Sequence, residues 1–253
     1  LPDEPAGQDE EPEYGGEDIP VDVDKLVIVT HGIWTTENDF LNGGWGTQMV
    51  NGIDQQVGNE WSVYAYHTLW WPEPWGLAAI AAMHGAAIGT SAVDLEFEHV
   101  HLIGHSAGAY FVDACANRIK DLSPETTVHM TFLDPANMVP EDRVIRGSSA
   151  DFAENYFSRQ KDDPFCGWDW LSAAFTQETY DNCFNIDVSQ LDPNYDDDGV
   201  VHCLSSHGWP HCFYRLSADA DVDSDADCDV INGNYESFGF GLSLANFSND
   251  VDT

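Results

Sequence analysis

A short apolar run that stops at a Gly-x-Ser-x-Gly turn and reopens as a helix constrains this chain more than any other feature. Glu98–Ile103 (EHVHLI) reads as a buried strand. Gly104-His105-Ser106-Ala107-Gly108 follows at once, and Ala107–Lys120 then has helical spacing, with Arg118 and Lys120 suited to a helix C-terminus. A serine held at the apex of such a turn is lifted clear of a sheet, at the positive end of a helix. The alternative is an ordinary glycine-rich turn. Free serine is a poor nucleophile, so the reading requires a base within hydrogen-bond reach.

The rest of the chain repeats the same grammar. Lys25–Thr30 (KLVIVT) is a β-branched run closed by His31-Gly32. Trp61–His67 alternates as a strand, and Thr127–Leu133 (TVHMTFL) runs into Asp134-Pro135. Phe152–Ser158 and Cys183–Val188 are further strand candidates. Trp75–Gly89 is Ala-rich and uncharged, which fits a helix buried in the core; an exposed lid is the alternative. Alternating strands and helices predict an α/β fold with a mostly parallel central sheet flanked by helices. There is no internal repeat.

Charge sets the boundaries and excludes partners. The chain carries 45 acidic and 8 basic side chains, a formal charge of −37 over 253 residues. Such a surface repels phosphate backbones and anionic membranes, so nucleic acid is not an expected partner. No apolar run reaches the ~18 residues of a spanning helix. No signal peptide is evident, and the opening LPDEPAGQDE reads as a processed or truncated end. Residues 1–24 hold 10 acids and no base. They read as an acidic disordered segment ahead of one catalytic domain, 25–253.

Two features inside that domain point to structural roles. An alternating Asp tract within a loop at about 217–230 makes Asp221, Asp223 and Asp225 candidate ligands for structural calcium; a solvated loop adapted to high salt is the competing reading. Asn194–Gly199 resembles half of an EF-hand loop but lacks its closing glutamate. Six cysteines in mostly loop-like surroundings suggest an oxidising compartment, hence secretion. The pairings expected are Cys166–Cys183, and Cys203 or Cys212 with Cys228, leaving Cys115 as a buried thiol. The stretch 159–200 is a candidate cap over the site.

Four segments, in order, carry a family resemblance: Val29-Thr30-His31-Gly32, Gly104–Gly108, Leu133-Asp134-Pro135-Ala136, and a late histidine loop ending in Tyr214. Together they resemble the α/β-hydrolase superfamily, in its lipase and esterase branch that includes the pancreatic-type lipases. The resemblance spans roughly 25–215. It implies a Ser-acid-His order with Ser106 as nucleophile, Asp134 as acid and His207 as base; His211 and His202 are the other histidines late enough, and Asp162 or Asp163 the alternative acids. It also implies an oxyanion hole from the N–H groups of Ile33 and Ala107. His31, Trp34, Trp71 and Trp209 are candidate substrate contacts beside these segments, with Trp70 and Trp75 nearby. The activity implied is hydrolysis of neutral esters (lipid-like, aryl or polyester) by a monomer needing no cofactor for catalysis. The rival readings are a catalytically silent calcium-dependent binding module on the same scaffold, and an amide hydrolase.

Overall fold

A computed structural model of the chain describes residues 23–33, 35–67, 74–137, 142–159, 179–191, 203–218 and 239–249. Outside the described residues lie the acidic segment 1–22, Trp34, Trp70, Trp71, His202, most of the candidate cap, Cys166, Cys228, Asp162, Asp163, and the Asp tract with Asp221, Asp223 and Asp225. So do the side chains of Trp75 and Cys203.

Among the described residues six strands form one sheet in the order β2-β1-β3-β4-β5-β6, with every neighbouring pair parallel. They are β1 (Lys25–Thr30), β2 (Trp61–Tyr66), β3 (His99–His105), β4 (Thr127–Leu133), β5 (Phe152–Phe157) and β6 (Phe184–Asp187). The helices are α1 (Glu37–Phe40), α2 (Trp45–Val57), α3 (Pro74–Asp94), α4 (Gly108–Leu122), α5 (Asp142–Ile145), α6 (Cys203–Ala218) and α7 (Phe240–Asn249). This is the α/β architecture that the alternating pattern predicts.

A parallel sheet covered on both faces needs apolar residues at odd and even strand positions alike. Val27, Val29, Ile103, Leu133 and Tyr156 belong to one core, with Met49 and Ile53 of α2, Phe213 of α6 and Phe240 of α7. Leu26, Ile28, Leu102, Met130 and Phe132 belong to the other, with Phe111 and Cys115 of α4 and Ile88 of α3. The first core also carries a buried polar seam. Glu154 Oε2 accepts from Ser243 Oγ at 2.9 Å and from Thr131 Oγ1 at 3.4 Å, tying α7 to β4 and β5.

Helix α3, uncharged up to its last residue Asp94, is longer than the sequence suggests and is buried along one side only; Met83 is 63% exposed. Its buried side seats on α4 through two glycines. A Cβ at Gly85 would lie 2.2 Å from the Phe111 carbonyl oxygen, and one at Gly89 would lie 2.6 Å from that of Cys115. Close backbone approach thus explains the small residues. Among the described residues no helix is long and apolar enough to cross a membrane.

The cysteine expectations are partly corrected. Cys183 is a free thiol, which overturns the Cys166–Cys183 pairing. Its sulfur packs beside Gly147 and the Arg146 carbonyl, and burial pushes its pKa up to about 12. Cys115 is free and buried, as its apolar helical setting predicts. Cys212 takes part in a disulfide.

The register matters most for function. Thr30 pairs with Gly104, and His105 with Leu133, so β1, β3 and β4 end level with one another. The chain crosses over β1 between β2 and β3, which makes the β1/β3 carboxyl ends a topological switch point, where open α/β sheets form a crevice.

Candidate active site

Ser106 occupies the tight connection between β3 and α4 with φ 55°, a left-handed conformation that costs a non-glycine residue roughly 1–3 kcal/mol. The surroundings hold it there. Its N–H donates to the Leu133 carbonyl at 3.1 Å, and its carbonyl accepts from the Ala136 N–H at 3.0 Å. The serine turn and the turn after β4 are therefore stitched together through their main chains. Glycine is required where the β1 loop meets this turn: a Cβ on Gly32 would lie 2.5 Å from Ser106 Cβ and 3.0 Å from its Oγ. Gly108 is equally confined, with the His31 carbonyl 2.8 Å from where its Cβ would stand.

Asp134 also has a left-handed backbone, φ 44°, and is 1% exposed. Its N–H donates to the Tyr156 carbonyl at 2.7 Å, which fixes the turn against β5. His207 of α6 reaches it: Nδ1 lies 2.7 Å from Asp134 Oδ2. A carboxylate only accepts, so Nδ1 carries the proton and Nε2 is left as the basic nitrogen. Of the late histidines described, His207 meets the acid. His211 turns instead onto Trp45, with ring centroids 4.5 Å apart. The segment read from sequence as a histidine loop is helical throughout, with Pro210 inside it.

Two expected substrate contacts are buried. His31 is fully buried, and its Nδ1 donates to the Gly32 carbonyl at 2.6 Å while its ring packs on Phe40 and His67. It lies beneath the loop and supports it, enclosed away from solvent. Trp209 is 3% exposed; its indole N–H donates to the Val188 carbonyl at 3.0 Å and its ring belongs to the core. Ile33 is partly exposed on the loop beside Ser106, and Ala107 is buried at the start of α4.

Several site residues are invisible to motif reading. Trp45, at the start of α2, sets its ring edge against His105, centroids 5.9 Å apart. His105 and His211 are held neutral by burial first, and then by neighbouring positive charge. His105 falls well below the usual histidine range, beside His207 and His211, and His211 is pushed down to about 3, with Arg215 the next cause. Arg146, fully buried, clamps the acid turn from below. It donates to the Ala136 carbonyl at 2.5 Å and to Asn137 Oδ1 at 3.4 Å, and pairs with Asp113 of α4. Its guanidinium lies over the Tyr110 ring, 4.5 Å from the centroid. Only three-dimensional proximity reveals this clamp, because Arg146 lies in a stretch of sequence that carries no motif.

Among the described residues no group of three or more His, Cys, Asp or Glu side chains is arranged to hold a metal ion. What the arrangement offers is an imidazole oriented by a buried carboxylate, on a turn whose main chain is bonded to that of a buried serine in a left-handed conformation. Comparison with protein-family models and with curated proteins gives no match. Among solved structures, the chain is similar to a candidate cell-surface hydrolase from Lactobacillus plantarum WCFS1, with 10% identity over 79% of this chain and 94% of that one and a TM-score of 0.47.

Proposed function

We propose that the protein is a serine carboxylester hydrolase. In this reading Ser106 Oγ attacks the ester carbonyl and His207 Nε2 takes its proton. The tetrahedral oxyanion is held by the N–H groups of Ile33 and Ala107. The protonated imidazole then returns the proton to the leaving alcohol, giving an acyl-enzyme on Ser106. Water, deprotonated by the same imidazole, attacks the acyl carbonyl and releases the acid. Asp134 orients the ring and stabilises its charged form throughout.

The observation that carries the reading is the 2.7 Å contact between His207 and Asp134, made beside a serine whose own main chain is bonded to the acid's turn. The formal charge of −37 disfavours anionic substrates, so the substrates proposed are neutral esters, aliphatic or aryl. The protein is proposed to act as a secreted monomer, and the chemistry as written uses no cofactor. Calcium, if bound, is assigned to the Asp tract that includes Asp221, Asp223 and Asp225, in a structural and not a catalytic role.

The test is p-nitrophenyl ester hydrolysis by wild type and Ser106→Ala, with melting temperature as the control for folding. Turnover is expected to fall by about 10⁴-fold or more, as when a triad member is removed, with the melting temperature retained. Undiminished cleavage by a folded Ser106→Ala protein refutes the assignment.

A further inference from the structure

We propose that His105 is a positioning residue for the base: its Nε2–H holds the main-chain carbonyl of His207 and so fixes where the His207 ring stands relative to Ser106. The inference rests on the Ser106–His207–Asp134 reading and adds to it a fourth residue that touches neither substrate nor reacting atoms.

The geometry is specific. His105 Nε2 lies 3.0 Å from the His207 carbonyl oxygen, a contact between residues 102 positions apart. A carbonyl only accepts, so Nε2 must carry the ring proton. The other nitrogen, Nδ1, is buried without a hydrogen-bond partner among the described residues. A bare ring nitrogen tolerates that setting better than an orphaned N–H donor would, so the enclosure locks one tautomer. Burial keeps the ring neutral, and the rings of His207 and His211 pack against it with centroids 4.7 Å away in each case.

The contact has a reason to exist. His207 is followed in α6 by Gly208 and Pro210. Glycine loosens a helix interior, and Pro210 lacks the N–H that would bond the carbonyl of Ser206, the residue just before the base. The turn that carries the base is thus the part of α6 least able to fix itself. A donor from outside, bonding the next carbonyl of the same turn, adds a constraint there. That donor is the residue immediately before the serine, so the base is anchored to the nucleophile's own turn. Reacting groups need placement to within about 0.5 Å, and such a short linkage achieves this better than the packing of a distant helix.

The test compares His105→Gln, whose neutral amide can still donate, with His105→Leu, which cannot. Steady-state ester hydrolysis and the rate of fluorophosphonate labelling are measured on the full chain, with melting temperature alongside. For His105→Leu, kcat and the labelling rate are expected to fall about 10- to 100-fold with KM little changed, the size of effect that misplacement by about 1 Å produces. His105→Gln should recover most of that loss. Wild-type rates for folded His105→Leu, or equal impairment of both variants, overturn the proposal. If the leucine variant does not fold, long-range ¹H–¹⁵N spectra of wild type decide: a protonated Nε2 on His105 supports the linkage, and a protonated Nδ1 overturns it. Failure of the underlying triad looks different, because wild type itself would then escape fluorophosphonate labelling.

Discussion

His207 and His211 sit four positions apart on one helix, yet their surroundings give them different chemistry. His207 faces a buried carboxylate, while His211 is stacked on Trp45 with Arg215 nearby. The folded-state pKa of His211, about 3, lies below its ordinary value of 6.5. In that window the unfolded chain binds a proton that the folded chain does not. Its contribution to stability is therefore complete above pH 6.5 and is lost as pH falls toward 3. Asp113, raised to about 6 by burial despite Arg146, acts oppositely between about 4 and 6, because there the folded state binds the extra proton. Comparing wild type with His211→Asn at each pH cancels such shared contributions. The melting-temperature advantage of wild type at pH 7 is expected to shrink steadily toward pH 4.5; a constant difference contradicts the linkage. Ser106, Asp134 and His207 were each legible in the sequence from motif and order, because each follows or terminates a recognisable segment. His105 was visible only as the variable position of the serine turn. Trp45 and Arg146 gave no local signal, since what they touch is set by the fold.

At the scale of elements, the strands were legible because a two-sided parallel sheet demands continuous β-branched runs, and KLVIVT and TVHMTFL supply them. Helix α6 was not, because Gly208 and Pro210 are turn signals by local propensity. Here burial of Cys212, Phe213, Tyr214 and Leu216 against the sheet outweighs them. The same limit applies to the clamp around Arg146, which joins α4 through Asp113, the acid turn through Ala136 and Asn137, and residue 180 through the Tyr180–Asn137 bond of 2.9 Å. Removing one partner of a buried ion pair leaves the other charge uncompensated, at a cost of about 3–5 kcal/mol. Arg146→Met is expected to lower the melting temperature by roughly 6–20 °C in a chain of this size. The double change Arg146→Met with Asp113→Leu should recover part of that loss, because Asp113 no longer stands unpaired, while buried Asp142, 4.0 Å from the guanidinium, still loses its cation. Equal destabilisation by the single and double variants would show that the pair does not act as a unit.

Across the whole molecule, the acidic surface repels itself. Of its 8 basic residues Arg146 and Arg215 are buried, as are Asp113, Asp134, Asp142 and Glu154 among its 45 acids, so the exterior keeps a large excess of carboxylates. Surface pairs such as Lys120–Asp151, at 2.6 Å, relieve this locally, but each is worth only about 0–1 kcal/mol. Repulsion over many exposed carboxylates is long-ranged, and it is screened as the Debye length falls from about 10 Å at 0.1 M salt to about 3 Å at 1 M. Raising NaCl over that range should raise the melting temperature by about 5 °C or more, roughly 1–2 kcal/mol for a chain of this length. KCl at equal ionic strength should do the same, since screening does not distinguish the cations. Calcium held by the Asp tract would leave another signature. Chelation at fixed ionic strength would lower the melting temperature, and a small excess of calcium would restore it by binding the folded state alone. A melting curve insensitive to NaCl but sensitive to EDTA would therefore reject diffuse screening as the means by which so acidic a chain stays folded, and would assign that role to a bound cation.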